Sequence, residues 1–310
     1  MKQYVVFTVM VGSYGNIYQP KYIDERFDYV LFSNDYKELS IGVWKICPFP
    51  IPEEIKPNDN KRISRYPKCH PEILLADYKA SLYVDANVQI VDKWVYDRII
   101  ELDENKVDYA GVKLQLSGRD CIYRHAFDIC VRSIAHDYEV IQQMHQLRSE
   151  GFPEHYGLNE NNVIFRRHNE NIKAIDSLWW EQIVKYSFRD QFSLMYCLWK
   201  HNAPLNYFLP NRTDARNSEH FVTINHDCNK NVYTQKILNL DVFEKIRNKY
   251  RTLNDYNKRF YCNLWLLLSK MPASKFWLLF FGTISSVIWL PLIVFQYIIR
   301  RISKKDDRMQ

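Results

Sequence analysis

The chain has 310 residues, of which 47% are apolar and 15% aromatic, and it carries 42 Lys and Arg against 36 Asp and Glu. This length and apolar content exclude a disordered chain and suffice for one large domain or two of medium size. The positive excess lies in the tail: residues 1–269 hold 35 basic and 34 acidic residues, whereas residues 270–310 hold seven and two. A balanced main body argues against a protein-wide nucleic-acid surface, and we expect no nucleic-acid partner.

Strand and helix patterns alternate along the chain. Short β-branched runs predict strands, and apolar residues at helical spacing predict helices. In chain order the predicted elements are a strand at 4–11, a strand at 29–32, a helix at 60–75 broken or kinked by Pro67 and Pro71, a strand at 81–91, a helix at 94–102, a strand at 109–116, a helix at 128–149, a strand at 163–167 and a helix at 190–200. This order predicts an α/β fold with a mostly parallel sheet flanked by helices. We expect one domain over residues 1–249 and a separate C-terminal segment over residues 250–310.

Two oxygen-bearing side chains stand close together in the segment SLYVDANVQI at 81–90. Asp85 and Asn87 are two residues apart, so in an extended chain they point to the same side. One hard cation could contact both and in turn hold a diphosphate. The Asp-x-Asn spacing also occurs in ordinary turns, which is the alternative interpretation.

Basic residues precede that segment at three-residue spacing. Arg62, Arg65 and Lys68 would share one face of a helix and point towards the strand ends. Such a face could neutralise the phosphates that a cation also binds. A solvated basic face would have the same spacing.

Six ordered blocks resemble the bacterial branch of a glycosyltransferase-like family that also includes plant mucilage and turgor-regulation proteins. The blocks are FTVMVGSYG at 7–15, YVLFSND at 29–35, the segment 62–87, RDCIY at 119–123, GLNENNVIFRRHN at 157–169 and SFRDQFS at 187–193. The stretch that ends in LYVDAN is also similar to the one before the Asp-x-Asp motif of GT-A glycosyltransferases, particularly the glycogenin and bacterial galactosyltransferase group. The resemblance implies a GT-A-like, Rossmann-like fold and a nucleotide-sugar glycosyltransferase.

The resemblance further implies a nucleotide site at the ends of the first two strands. The turn with Val11, Gly12 and Tyr14 would let the backbone approach the nucleotide, since glycine adopts conformations closed to other residues. Asp35 would contact the base or the ribose. The alternatives are a plain tight turn at Gly12 and a capping role for Asp35.

For the cation, the resemblance assigns the metal position to Asp85 and Asn87, with Mn²⁺ or Mg²⁺ as the expected ion. This sequence has Asn where the better-known motif has a second Asp, and a neutral amide binds a divalent ion more weakly. His226 is the expected third ligand, and His220 is a less well-placed rival. A structural histidine is the alternative for either position.

By their order in the chain, the block at 159–165 and the pair Asp190-Gln191 correspond to the sugar- and acceptor-binding regions of the glycosyltransferases that the chain resembles. Asp190 is the leading candidate for a carboxylate near the reacting carbon, either as a base or to position the sugar, and an N-cap of the helix at 190–200 is its alternative. Asp120, beside Arg119, is a second catalytic candidate. Trp179 and Trp180 could stack on a sugar or pack in the core. The remaining residues expected to bind the nucleotide sugar are Asn159, Glu160, Asn161 and Gln191.

The tail contains 24 consecutive uncharged residues at 276–299, with basic residues on both sides. A helix of that length spans about 36 Å, enough to cross a hydrocarbon core of about 30 Å. It could span the membrane or lie in the interface beside anionic lipid, and a buried core helix is the alternative. The apolar run at 5–11 is too short for the core of a signal peptide, and seven scattered Cys fit reduced thiols. We therefore expect C-terminal membrane-associated helices that hold the protein at the cytoplasmic face.

Together these features predict transfer of a sugar from a nucleoside-diphosphate donor to a glycan or lipid-linked glycan acceptor in surface polysaccharide biosynthesis. A sugar-phosphate nucleotidyltransferase is one alternative, although the turn GSYG at 12–15 lacks the basic residues that such enzymes usually carry. A non-catalytic, membrane-bound module that binds nucleotide or glycan is the other.

Overall fold

The structure is a computed structural model that describes residues 2–12, 15–114, 120–131, 134–210 and 213–224. Several expectations fall outside these residues: Tyr14, Arg119, His226 and the C-terminal segment 250–310, including its apolar run at 276–299. Within the described part of the chain, no helix is long and apolar enough to cross a membrane.

Nine strands form within the described residues. They are β1 (Tyr4–Val9), β2 (Phe27–Phe32), β3 (Ser40–Ile41), β4 (Trp44–Cys47), β5 (Ala80–Val84), β6 (Val88–Ile90), β7 (Tyr109–Lys113), β8 (Asn159–Arg167) and β9 (Phe221–Thr223). Most residues of β1, β2, β5, β7 and β8 are buried, as expected for sheet strands covered on both faces.

Helices connect most of these strands. They are α1 (Asn60–Ile63), α2 (Tyr66–Cys69), α3 (Pro71–Leu74), α4 (Trp94–Glu104), α5 (Ile122–Val131), α6 (Asp137–Ser149), α7 (Glu170–Lys185) and α8 (Leu194–Lys200), with a 3₁₀ turn at Asp190–Phe192. The start of α7 is set by Asn169, whose side chain accepts a hydrogen bond from the Ile172 N–H at 2.9 Å.

Seven strands form one sheet in the order β3-β4-β2-β1-β5-β8-β7, while β6 and β9 pair separately. The pairs β1–β2, β1–β5 and β2–β4 are parallel, and β8 is antiparallel to both β5 and β7. Five strands therefore run in one direction, and β3 and β8 run against them. The fold is mixed α/β with a large, mostly parallel sheet, in agreement with the expected class.

Helices cover both faces of this sheet. Alternate residues of β1 point to opposite sides, so Val5 and Phe7 pack in the same core as Trp179 of α7, while Val6 packs in the core that contains Ile99 of α4. The carboxyl ends of β1, β2, β4, β5 and β7 meet at one edge, where β8 begins. This is the edge at which ligands bind in open α/β sheets.

Several predicted elements differ from the structure. The region predicted as a helix at 60–75 is three separate turns, because Pro67 and Pro71 each stand in the first turn of a new helix and donate no backbone hydrogen bond. The strand predicted at 81–91 is two strands in different sheets, and the helix predicted at 128–149 is the end of α5 and all of α6. The helix predicted at 190–200 is the 3₁₀ turn followed by α8.

Candidate functional site

A buried ion cluster lies where the 3₁₀ turn meets the carboxyl edge of the sheet. The Gln191 amide Nε2 donates to the carbonyl oxygens of Asn159 at 3.1 Å and Glu160 at 3.3 Å, which ties the turn to the start of β8. The neighbouring Asp190 is 4% exposed, and its Oδ2 accepts a hydrogen bond from Lys68 Nζ at 2.5 Å. The Lys68 ammonium also lies 3.6 Å from Asp85 Oδ1, at the end of β5. One buried ammonium therefore bridges two carboxylates from distant parts of the chain.

Two guanidinium groups complete the cluster. Arg65 Nε lies 3.7 Å from Asp190 Oδ2, and Arg189 precedes Asp190 in the chain. Burial alone would raise the pKa of Asp190, but the positive charges of Lys68, Arg65 and Arg189 outweigh it and hold that pKa well below its ordinary value. Asp190 is therefore a carboxylate throughout the physiological range.

The cluster holds more positive than negative charge. Among its described members, Arg65, Lys68 and Arg189 face the carboxylates Asp85 and Asp190, which leaves one positive charge in excess. Arg65 Nε and Arg189 Nε are both buried without a hydrogen-bond acceptor among the described residues. Buried donors without acceptors are costly unless a ligand satisfies them, so the cluster is suited to an anion.

The chain turns, rather than continuing extended, at Asp85 and Asn87. The Val88 N–H donates to the Asp85 carbonyl oxygen at 2.8 Å, which closes a turn between β5 and β6. Asp85 and Asn87 therefore stand on a turn, and not on the extended strand that the sequence predicts. The Asp85 side chain is 39% exposed, and its Oδ1 accepts from Tyr83 OH at 2.6 Å.

The same turn is tied to the last described residue of the domain. Asn87 Nδ2 donates to the Ile224 carbonyl oxygen at 3.0 Å, and the Ile224 N–H donates to the Asn87 carbonyl oxygen at 2.8 Å. The Asn87 amide oxygen makes neither bond, so it and the Asp85 carboxylate are two oxygen donors of the kind that Mn²⁺ and Mg²⁺ bind. By their chemistry, these two oxygen atoms could supply two of the ligands of such an ion. The expected third ligand, His226, lies two residues beyond the described chain.

His220, the rival third ligand, is engaged elsewhere. Its ring stacks on Trp94 with 4.0 Å between centroids, and its Nδ1 lies 2.9 Å from Asp92 Oδ2. These contacts are typical of a structural histidine.

The ends of β1 and β2 meet at Gly12 and Asp35. The Gly12 N–H donates to Asp35 Oδ2 at 2.6 Å, so the structure brings these two predicted residues together. Gly12 has φ +79°, and a Cβ there would overlap the Asn60 side chain at the start of α1. Only glycine fits this close approach without strain. The adjacent Val11 is partly buried against the core.

The start of β8 carries a row of buried polar residues. Glu160 accepts hydrogen bonds from Arg216 and from Asn162 Nδ2, the latter at 3.0 Å; burial raises its pKa, against the opposing charge of Arg216. Asn161 is 1% exposed, has φ +58°, and both polar atoms of its side chain are buried without a hydrogen-bond partner among the described residues. Asn159 Nδ2 donates to Tyr109 OH at 2.6 Å.

Arg62 does not join the cluster. Its guanidinium donates to Asp59 Oδ2 at 2.9 Å and to the carbonyl oxygens of Ile183 at 3.0 Å and Tyr186 at 2.6 Å. It thereby caps the end of α7. The expected single basic face is wrong because the helix stops at Ile63 and restarts at Tyr66, which turns Arg65 and Lys68 towards Asp190 and Arg62 away from it.

Other predicted residues have structural contacts. Trp179 is fully buried, and its Nε1 donates to the Asp190 carbonyl oxygen at 3.0 Å. It is therefore a core residue that also helps to position Asp190. Trp180 Nε1 donates to Glu54 Oε1 at 2.9 Å. Asp120 accepts from His155 Nδ1 at 2.7 Å.

The sequence patterns assign no role to Arg189 or Arg166. Arg189 lies in the block SFRDQFS directly before Asp190, and that adjacency was the available signal. Arg166 is 1% exposed; it binds both carboxylate oxygens of Asp176 at 2.9 Å and donates to the Lys68 carbonyl oxygen at 2.7 Å. It thus holds the backbone that carries Lys68, and no local pattern marks it in the sequence.

The sheet with a basic, anion-suited cluster at its carboxyl edge defines an α/β protein with a polar ligand site at the usual place for that architecture. Residues 4–226 match the model of the TOD1/MUCI70 glycosyltransferase-like domain. The chain belongs to this family, and the resemblance seen in the sequence blocks is confirmed. No curated protein sequence matches it significantly.

Three solved structures are among those to which the chain is similar. The bifunctional glycosyltransferase WbbM, in its apo structure, is 12% identical with a TM-score of 0.39, and the match covers 66% of this chain and 38% of WbbM. Core-mannan synthase A (CmsA/Ktr4) of Aspergillus fumigatus, in a Mn/GDP form, is 11% identical with a TM-score of 0.38, covering 64% of this chain and 70% of that one. The mannosyltransferase Ktr4p of S. cerevisiae is 10% identical with a TM-score of 0.35, covering 63% and 64%.

Proposed function

We propose that this protein transfers a sugar from a nucleoside-diphosphate donor to a glycan or lipid-linked glycan acceptor in surface polysaccharide biosynthesis. The observation that carries the proposal is the cluster of the buried Lys68 and the partly buried Arg65 and Arg189 around Asp190. It lies at the sheet edge that also holds Gly12 and Asp35. A leaving diphosphate carries the negative charge that this cluster lacks.

In this proposal the two arginines bind the diphosphate. Arg65 Nε and Arg189 Nε are among the buried donor atoms that make no hydrogen bond within the described residues, and a phosphate oxygen would satisfy each of them. Both guanidinium groups would then stabilise the charge that develops on the leaving group as the bond to the sugar breaks. Gly12, whose backbone approaches Asn60 closely, would let the nucleoside lie against the turn, with Asp35 beside it.

Asp190 would orient the sugar rather than accept a proton. Lys68 donates to one of its oxygens, and the surrounding cations keep its pKa low, so it is a poor base at neutral pH. A permanent carboxylate at this position can accept hydrogen bonds from sugar hydroxyls and stabilise positive charge on the sugar ring. Glu160 and Asn161, at the start of β8, would contribute further polar contacts.

A divalent cation, Mn²⁺ or Mg²⁺, fits the Asp85 carboxylate and the Asn87 amide oxygen. When bound, it would supply Lewis-acid stabilisation of the leaving diphosphate. His226 is the third ligand in this proposal, since the chain is held at Asn87 through Ile224, two residues before it. Tyr83, which donates to Asp85, would keep that carboxylate oriented towards the site.

The C-terminal segment would place the domain on its acceptor. The uncharged run at 276–299 and the basic residues on both sides suit anchoring at the cytoplasmic face beside anionic lipid. A lipid-linked acceptor in the same membrane would then have a high effective concentration at the site.

The experiment is donor hydrolysis and transfer by the purified full chain with a panel of nucleotide sugars and Mn²⁺ or Mg²⁺. We expect turnover with at least one donor, lost in Arg189→Gln and retained in Lys173→Gln, which changes an exposed cation on α7. No turnover with any donor in the panel would contradict the proposal. Donor binding without turnover would favour the binding module, and release of pyrophosphate from a nucleoside triphosphate would favour the nucleotidyltransferase.

A further inference from the structure

A second group of polar side chains lies at the start of α5 and in the loop before β8. The Cys121 Sγ, a carboxylate oxygen of Glu154 and a ring nitrogen of His155 lie within 4.8 Å of one another. Cys121 is 1% exposed, whereas Glu154 and His155 are exposed. The group therefore combines a sheltered sulfur with two ligands that solvent can reach.

A neighbouring carboxylate orients the histidine. His155 Nδ1 donates to Asp120 Oδ1 at 2.7 Å, which leaves Nε2 as the nitrogen with the free lone pair. Metal-binding histidines in proteins commonly have such a carboxylate partner on the other ring nitrogen. The Asp120 carbonyl oxygen also accepts from the Gly157 N–H at 2.9 Å, so the two segments are already held together by the backbone.

Glu154 is similarly held through one oxygen. Arg148 Nη2 donates to its Oε1 at 2.9 Å, which leaves Oε2 available to a further partner. A cleft of about 430 Å³ borders the group and is lined by Tyr123, Arg148, Phe152 and Glu154, among others. An ion at the three ligands would be open to solvent from this cleft.

We propose that Cys121, Glu154 and His155 bind a borderline-soft divalent cation such as Zn²⁺, with Asp120 as the residue that positions His155. Thiolate, imidazole and carboxylate are all ligands that Zn²⁺ binds, whereas Mg²⁺ and Mn²⁺ favour oxygen ligands over a thiolate. Three protein ligands leave a fourth position for water on the cleft side. On binding, the Cys121 thiol loses its proton to solvent and the sulfur bonds the ion as thiolate.

The consequence is a cross-link between the start of α5 and the loop before β8. Glu154 and His155 precede Asn159, the first residue of β8, whose neighbours form part of the candidate sugar site. The ion would fix this loop without itself contacting Asp85 or Asp190. The inference does not depend on the proposed transferase activity.

The test is a titration of the chelator-treated, reduced full chain with Co²⁺, a spectroscopic substitute for Zn²⁺. We expect a thiolate-to-cobalt charge-transfer band that saturates at one equivalent and is displaced by Zn²⁺. The band should disappear in Cys121→Ser and persist in Cys47→Ser, which changes a partly buried thiol elsewhere in the chain. Absence of the band in the unmodified chain, or its persistence in Cys121→Ser, would overturn the proposal.

Two further variants separate this site from the Asp85 site and test the positioning role. Asp85→Asn should retain the cobalt band at full intensity. Asp120→Asn should keep the band but weaken Zn²⁺ binding about tenfold, the usual size of an outer-shell effect. Unchanged Zn²⁺ affinity in Asp120→Asn would contradict the role given to Asp120.

Discussion

Two charged regions at the same edge of the sheet differ in their exposure to solvent. The side chains of Lys68 and Asp190 are 2% and 6% exposed, whereas those of Asp120 and His155 are 46% and 42% exposed. Separating buried charges leaves an ion without solvent or partner, while an exposed pair exchanges its partner for water at little cost. The Asp190 cluster is therefore fixed by folding, and the Asp120 group can change partners when a ligand arrives.

The largest difference between the regions is expected on removal of one carboxylate charge. Asp190→Asn leaves the buried Lys68 and the partly buried Arg65 without their main counter-charge and should lower the free energy of unfolding by about 3–5 kcal/mol. The matched change Asp120→Asn should cost about 0–1 kcal/mol, since its pair is exposed. Urea unfolding of both variants measures the difference. Equal losses of unfolding free energy in the two variants would contradict the proposed difference between the two regions.

A double variant sharpens this prediction. Lys68→Met combined with Asp190→Leu removes the closest ion pair as a whole, so the Lys68 ammonium is not left without its partner, and part of the stability lost in Asp190→Asn should be recovered. Turnover should not recover, because the carboxylate that orients the sugar in the proposal is still missing. Recovery of both stability and turnover would show that Lys68 and Asp190 have only a structural role.

Next in size is an effect of pH on the free energy of unfolding, which we assign to His168. Burial, with a smaller contribution from the charge of Arg166, lowers the pKa of His168 from 6.5 to about 4. Below about pH 6.5 the unfolded chain binds a proton at His168, whereas the folded chain binds it only below about pH 4. The free energy of unfolding therefore decreases as the pH falls from 6.5 to 4. The loss should reach about 3 kcal/mol.

The variant His168→Gln tests this assignment, because its amide can still bond Ser81 Oγ, which lies 2.8 Å from His168 Nε2, but does not titrate. Stability measured against pH should lose that part of its slope between pH 6.5 and 4. An unchanged slope would assign the acid sensitivity to other groups.

A smaller effect is expected at the partly exposed carboxylate. Asp85→Asn should lower turnover about 100-fold, equivalent to about 2.7 kcal/mol of transition-state stabilisation, with little change in unfolding. The reason is that Asp85 is the only anionic cation ligand in the proposal. Asp97→Asn, on the exposed side of α4, is the control and should keep full turnover. Turnover that survives in Asp85→Asn and needs no added cation would remove the cation from the proposal.

The smallest effect concerns the turn at Gly12. Gly12→Ala should cost about 1–2 kcal/mol from left-handed backbone strain and weaken nucleoside-diphosphate binding by displacing Asn60 and Asp35. Gly151→Ala has a similar φ of +83° with open space around it, so it carries the strain without the displacement. Calorimetric binding measured on both variants separates the two contributions. Equal binding in both would mean that the Gly12 turn does not contact the nucleotide.

The sequence predicts the strands and helices of the fold better than it predicts the candidate functional site. The sequence predicts β1, the helix α4 and the start of β5 to within a few residues, because each buries a continuous apolar stretch or stripe, but it joins β5 and β6 into one strand. The reversal of β8 was not found, since an apolar strand reads alike in either direction and only its neighbours fix the direction. Nor was α7, although Asn169 caps its start.

For the candidate site, residue types could be predicted but not their partners. Lys68, Arg65 and Asp190 were each selected, yet their meeting depends on two prolines that break a helix and on a 3₁₀ turn 122 residues along the chain from Lys68. Arg62 has the same local spacing but binds the end of α7. Three-residue spacing cannot distinguish these outcomes, because long-range backbone acceptors decide them.

The central claim is that the arginines beside Asp190 bind a diphosphate, and calorimetric titration of the full chain with nucleoside diphosphates tests it most directly. We expect binding of at least one of UDP, GDP and dTDP, weakened at least tenfold in Arg189→Gln and unchanged in Lys173→Gln. The corresponding nucleoside without phosphates should bind far more weakly. Equal affinity for diphosphate and nucleoside, or full affinity in Arg189→Gln, would contradict the account.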